Sequence, residues 1–180
     1  IDDSRFSDNR FWWDYEFVIL TGNEDIQKGE TITVTWHNVT APMLARVYHF
    51  PVRVDLSGSG KFEELTEAPG LEVTGGKAVY LNVVVPSRSS INTHFRVKVS
   101  AVDRHGNLVR NYTGTVTFSS DDQNAVLPDS YTFTDPDSGI HWFENGVSIT
   151  NEGPNSIKIT DGIISAESNF VFVTAEKSEL

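Results

Sequence analysis

The chain has 180 residues, no cysteine and a formal net charge of −11. The lack of cysteine excludes a disulfide framework and any thiolate metal site, so stability has to come from packing and backbone hydrogen bonds. The acidic charge favours divalent cations and repels phosphate backbones, which argues against nucleic acid as a partner. The apolar runs have the length of strands, which argues against membrane insertion.

The first segment has strand character at residues 14–20, 31–36 and 47–54. Residues 55–61 carry Gly58 and Gly60 and predict a turn that leads into residues 62–65. The pattern predicts a small all-β domain over residues 1–75. A start at Ile1 rather than methionine indicates a processed chain or an excised fragment.

The pair Gly75 and Gly76 predicts the boundary to a second domain, which begins with a strand at residues 79–85 and a loop at residues 86–90. Apolar and polar residues alternate strictly over residues 95–101, the period of a strand with one face on a core.

Residues 112–118 repeat this alternation. The turn at residues 103–107, with Gly106, predicts a hairpin between the two strands. Further strands are expected at 131–134, 143–149, 156–160 and 170–173, a spacing typical of a sandwich. The predicted fold class is all-β, with two β-sandwich domains in tandem over residues 1–75 and 76–180.

Several motifs of the second domain resemble bacterial immunoglobulin-like repeats of the Big or invasin type. An apolar strand, a proline–serine loop and a strand that ends in an Asp-x-x-Gly-Asn turn follow one another. The match continues through residues 112–116, 126–128, 131–133, 139–143 and 157–161, and it covers roughly residues 77–174. Glu144 and Asn145 depart from the expected strand. The resemblance implies immunoglobulin-like sandwiches, modules that hold, space or bind.

The first segment resembles the amino-terminal region of a family of uncharacterised prokaryotic proteins. Its aromatic opening strand, the run Lys28-Gly29-Glu30-Thr31-Ile32 and a Gly-Ser-Gly hairpin carry this resemblance. In that family similar β-domains precede a carboxy-terminal metal-dependent hydrolase domain of the PHP class. The resemblance implies that the chain is a non-catalytic forepart and that an enzyme domain follows Leu180.

Two acidic loops are candidates for calcium, one with Asp121 and Asp122 and one with Asp135 and Asp137. Oxygen-rich loops suit this hard cation, although no complete ligand set is visible. The alternative is that these aspartates are solvated or cap turns. The five histidines lack metal-binding spacing, and no catalytic motif is present, so the residues predict no enzyme within this chain.

Three tryptophans are candidates for ligand binding. Trp12 and Trp13 lie in a charged leader, and Trp142 has the opposite parity to the apolar residues of its strand, so it is expected to point away from the core. An exposed indole stacks on sugars or anchors protein interfaces. The alternative is that Trp142 covers an inter-domain seam and that Trp12 or Trp13 completes the core of the first domain.

The predicted function is that of a non-catalytic immunoglobulin-like module, a spacer, docking or adhesion region of a larger prokaryotic protein. Alternatives are an accessory region of a metal-dependent hydrolase and a carbohydrate-binding module. The expected partners are other domains of the same polypeptide, a protein or a glycan, with no cofactor unless calcium binds. The expected location is extracellular, periplasmic or at the cell surface. The residues encoded after Leu180 would distinguish the first two functions.

Overall fold

The computed structural model describes residues 29, 37, 40–55, 59–67 and 69–175. The chain forms two compact units, Ile1–Val39 and Thr40–Leu180, and nearly all described residues belong to the second unit. The strands expected at residues 14–20 and 31–36 lie outside the described residues. The expected boundary at Gly75 and Gly76 falls within the second unit. The division into domains 1–75 and 76–180 stays a prediction.

The described residues form short strands and no α-helix. The strands are β1 (Arg46–His49), β2 (Arg53–Val54), β3 (Glu63–Glu64), β4 (Gly70–Val73), β5 (Tyr80–Val84), β6 (Arg88–Ser90), β7 (Phe95–Val102), β8 (Thr115–Ser120), β9 (Tyr131–Thr132), β10 (Ile140–Val147), β11 (Gly153–Asn155), β12 (Ile157–Thr160), β13 (Ser165–Glu167) and β14 (Val171–Thr174). Among the described residues, one 3-10 turn, Asp135–Asp137, precedes β10.

The strands form two main layers. One layer is the antiparallel sheet β10-β7-β5. The other contains the sheet β13-β12-β8-β9 and the sheet β11-β14-β6, in which β6 runs parallel to β14. The strands of these two sheets alternate along the chain, since β11 lies directly before β12 and β13 directly before β14. Two small antiparallel pairs, β1-β4 and β2-β3, complete the described fold.

The core lies between the two layers and is built by the alternation of the strands. In β7, Val97 and Val99 are fully buried while Arg96 and Lys98 face outward. Each buried valine stabilises the fold by about 1.5–3 kcal/mol. The inner faces of β5, β8, β10, β12 and β14 contribute the other members, which include Leu81, Val83, Val116, Phe143, Val147, Ile157, Ile159, Val171 and Val173. The prediction of an all-β fold with β-sandwich packing is confirmed.

The predicted hairpin between residues 95–101 and 112–118 is wrong. β7 pairs with β5 and β10, whereas β8 pairs with β9 and β12, so the two strands lie in different layers. The turn at residues 103–107 closes only a local bridge between Val102 and Leu108, after which the chain crosses over. A strand that faces the core from either layer has the same alternation, so periodicity cannot distinguish a hairpin from a crossover.

Two further details differ from the sequence-based expectation. The expected loop at residues 86–90 contains β6, because its backbone finds a parallel partner in β14. The polar pair in β10 is a bulge, since the register shifts between Phe143 and Val147 and Asn145 has a φ of 50°. The bulge accommodates Glu144 and Asn145 without ending the strand.

Candidate functional site

Asp103 anchors the turn that follows β7. Its carboxylate, which is almost fully buried, accepts hydrogen bonds from the backbone N–H of Gly76 at 3.0 Å and of Asn107 at 2.9 Å. The Gly76 bond, followed by that from the Asn107 side chain, holds the pKa of Asp103 far below its ordinary value. Asn107 donates from Nδ2 to the Met43 carbonyl at 2.6 Å and accepts from the Ala45 N–H at 2.8 Å. The turn therefore ties residues 43–45 to the sandwich.

Asp121 and Asp122, the first calcium candidates, point in different directions. Asp122 is only 3% exposed and accepts from the N–H of Thr150 at 2.6 Å and of Asn124 at 3.0 Å. Burial favours the neutral acid, but these bonds outweigh it and lower the pKa of Asp122. The Asp121 side chain is 82% exposed and pairs with Lys158 Nζ at 2.8 Å. The two carboxylates do not converge on a common point.

Asp137, in the second calcium candidate, is the centre of another polar network. It accepts from the Thr134 N–H at 2.7 Å and from the Tyr131 hydroxyl at 3.0 Å, and it contacts His141 Nδ1 at 2.7 Å. Burial raises the pKa, but the bonds from Thr134, His141 and Tyr131 outweigh it, so the pKa of Asp137 falls to about 2. Asp135, by contrast, is exposed.

The aspartate loops fit structural turns better than a calcium site. Both oxygens of Asp122 and Asp137 already face N–H or O–H donors, which compete with a cation for the same lone pairs. Within the described residues, no three potential metal ligands lie together. Calcium binding at these loops stays a prediction.

Asp161 fixes the turn between β12 and β13 and reaches across to Tyr112. Its Oδ1 accepts from the N–H of Ile163 at 2.9 Å and of Ile164 at 2.7 Å, while its Oδ2 accepts from the Tyr112 hydroxyl at 2.7 Å. Burial first, and then the bond to Asp161, raise the pKa of the Tyr112 hydroxyl well above its ordinary value. A Cβ on Gly114 would overlap the Tyr112 ring end, so glycine is required there.

Trp142 lies on the outward face of the sheet β10-β7-β5, as its parity predicts. It is 43% exposed, whereas Phe143 is buried. The Arg96 guanidinium carbon lies over the indole, 4.6 Å from the ring centroid, and Lys98 Nζ lies 5.7 Å from it. Such cation–π contacts contribute about 0.5–1 kcal/mol each at exposed positions. Trp12 and Trp13 lie outside the described residues.

The sequence does not identify the residues that surround these groups. The alternation of β7 places Arg96 and Lys98 on its polar face, but only the strand register shows that Lys98 lies opposite Trp142. The sequence predicts no role for His141, yet its ring stacks on Tyr131 with 3.9 Å between centroids. The four-residue interval between Asp137 and His141 was the available signal.

None of the helical elements in the described residues is long and apolar enough to cross a membrane.

Comparison with known proteins finds no family. No protein-family model matches the chain, and no curated protein matches it. Among solved structures, the chain is similar to the surface layer protein SbsC, domains 4–9, with 21% identity and a TM-score of 0.39. The match covers 67% of this chain and 18% of that one, so this chain spans less than a fifth of the SbsC structure. The similarity carries no functional assignment, and the two family resemblances stay predictions.

Proposed function

We propose that the chain is a non-catalytic, immunoglobulin-like module that serves as a rigid spacer, docking or adhesion region of a larger prokaryotic protein. The hydrogen bonds of four aspartates support this proposal. Asp103, Asp122, Asp137 and Asp161 each direct their carboxylate oxygens to backbone N–H donors of turns. Each of these side chains fixes the backbone of a connection at its place in the sandwich.

The observation that supports the proposal most strongly is that these hydrogen bonds join segments far apart in the sequence. Asp103 accepts from Gly76, which is 27 residues away, and Asp122 accepts from Thr150, which is 28 residues away. Because each bond joins two connections that are distant in sequence, neither connection moves without losing a charge-assisted hydrogen bond. Immobile connections suit a module that holds or spaces other parts of a polypeptide, and they do not suit a mobile active-site lid.

Hydrogen exchange of individual amides tests the rigidity. The N–H groups of Gly76, Thr150 and Ile164 should exchange nearly as slowly as those of the core strand β7. Exposed turn amides without a carboxylate partner, such as that of Glu152, provide the comparison. Exchange of the three clamped amides at the rate of the exposed turns would contradict a rigid module.

A turnover assay tests the non-catalytic part of the proposal. The chain is incubated with chromogenic phosphoester, peptide and glycoside substrates, each with Mg²⁺, Mn²⁺, Zn²⁺ or Ca²⁺. We expect no turnover above that of the Asp137→Asn and His141→Ala variants, which alter the side-chain contact between Asp137 and His141. Turnover that either variant abolishes would overturn the proposal.

A further inference from the structure

The outward face of the sheet β10-β7-β5 carries an ordered group of aromatic and cationic side chains. Trp142 on β10 lies opposite Lys98 on β7, and Lys98 lies opposite Val84 on β5, so the three side chains form a row across the sheet. Arg96 lies over the Trp142 ring, and Tyr80 lies further along β5. We name this set of five residues the cationic face.

The cationic face exposes apolar area together with its charges. Trp142, Val84 and Tyr80 are 43%, 49% and 58% exposed. Tryptophan, tyrosine and arginine are the residue types that contribute most to binding energy at protein interfaces. Aromatic residues and arginine are enriched at protein interfaces, so Trp142, Tyr80 and Arg96 are suited to such a surface.

The charge of the cationic face is opposite to that of the chain. In the described part of the chain, Arg110 pairs with Glu72 and Lys158 pairs with Asp121, but no carboxylate lies within 4.0 Å of the Arg96 or Lys98 nitrogens. The chain carries a net charge of −11, so Arg96 and Lys98, which both contact the Trp142 ring, place two positive charges together on the surface of an acidic chain. Their charge is complementary to carboxylates of a partner.

The position of Arg96 favours a protein over a glycan. A sugar ring binds tryptophan by stacking on the face of the indole, and the guanidinium lies over that ring at 4.6 Å. A carboxylate can instead bind the outer nitrogens of Arg96 and Lys98 while apolar groups of the same partner contact Trp142 and Val84. The aliphatic surface of Val84 adds an apolar contact that suits a protein side chain.

We propose that the cationic face is a docking surface for an acidic protein segment, whose carboxylates bind Arg96 and Lys98 and whose apolar side chains pack on Trp142 and Val84. The inference rests on the proposed function of a docking module and names the chemistry of its partner. The exposed Glu144, two residues beyond Trp142 on β10, is the nearest acid along that strand. Its negative charge works against such a partner.

Titration calorimetry with a random copolymer of glutamate and tyrosine tests the docking surface. The wild-type chain should bind the copolymer, with an affinity that falls as salt rises. The double variant Arg96→Gln/Lys98→Gln should bind about tenfold more weakly, since it loses two charge contacts beside an apolar surface. Trp142→Ala should weaken binding by about fivefold or more.

The control variant removes two positive charges that lie outside the cationic face. The double variant Arg110→Gln/Lys158→Gln, which breaks two exposed ion pairs, should bind within about twofold of wild type. The variant Glu144→Gln should bind more tightly. Melting temperatures of all variants show that each one is folded.

Three results would overturn the inference. The first is no binding of the copolymer, and the second is equal losses in the two double variants. The third is binding of polygalacturonate without binding of the copolymer, which would assign the face to an acidic glycan. The amides of Gly76, Thr150 and Ile164 can exchange slowly while one of these three results is obtained. In that case the proposal of a rigid module is kept, and only the proposal of an acidic partner is rejected.

Discussion

Replacing Asp122 by asparagine should destabilise the fold far more than the same change at Asp121. Both substitutions remove one negative charge from adjacent positions, so they are matched in their effect on the net charge. Asp122 is buried and accepts N–H bonds from Asn124, Thr150 and Asn151, whereas Asp121 is exposed and has a single ion pair. The comparison separates a structural carboxylate from a surface carboxylate.

The size of the effect follows from the donors that lose their acceptor. Asparagine at position 122 keeps one acceptor oxygen but turns an NH₂ group toward N–H or O–H donors on its other side. A hydrogen bond to a charged group contributes about 1.5–3 kcal/mol, and a buried donor left without a partner costs about 1–3 kcal/mol. We therefore expect Asp122→Asn to cost about 3 kcal/mol and Asp121→Asn, which breaks an exposed ion pair, to cost less than about 1 kcal/mol.

Thermal unfolding followed by circular dichroism measures both variants. For a chain of this size, about 3 kcal/mol corresponds to a fall of roughly 6–12 °C in melting temperature, whereas Asp121→Asn should lower it by less than about 4 °C. Urea unfolding at 25 °C provides an independent value of the same difference.

The dependence on pH gives a second check. Because the pKa of Asp122 is lower in the folded chain than its ordinary value of 3.8, its stabilisation is complete above pH 3.8 and is lost as the pH falls through the folded pKa. The difference between wild type and Asp122→Asn should therefore shrink as the pH is lowered from 5 toward 2. Equal melting temperatures for the two variants, or a difference that does not depend on pH, would refute the reasoning.

Three further predictions concern the other polar networks. The pKa of Asp137 is about 2, so its contribution should be complete above pH 3.8 and be lost toward pH 2, and the difference in melting temperature between wild type and Asp137→Asn should fall over that interval. Tyr112→Phe removes the bond to Asp161 and should cost about 1 kcal/mol in urea unfolding, and an unchanged midpoint would contradict this. Gly114→Ala should cost about 1–3 kcal/mol by steric overlap with the hydroxyl and the ring end of Tyr112, and an unchanged urea midpoint would contradict this overlap.

The strands of the sandwich could be predicted because their signal is local. Buried Val97 and exposed Arg96 differ by one position, and the same rule applied to β10 places Trp142 outward. The pairing of strands could not be predicted in this way. β6 is a strand only because β14 runs beside it, more than 80 residues later in the chain, and neither its serines nor its position after Pro86 indicates that partner.

The candidate sites show the same division between local and distant information. The sequence identifies four acidic loop residues, Asp121, Asp122, Asp135 and Asp137. Composition alone does not distinguish their roles. Which of them turns inward depends on donors in other connections, such as Thr150 for Asp122. Two adjacent aspartates with identical local signals therefore take opposite roles.

This difference changes how the acidic charge of the chain is interpreted. A carboxylate has two oxygens that only accept, so a single aspartate can satisfy N–H donors from two connections at once, which serine or asparagine does less well because each also carries a donor. Asp103 and Asp122 work in this way, and Asp161 accepts N–H groups of its own turn together with the hydroxyl of Tyr112. Their low pKa values keep them charged at neutral pH, so they add to the net charge of −11 while their oxygens accept hydrogen bonds from the turns. The acidity of the chain is then in part the consequence of fixing its turns.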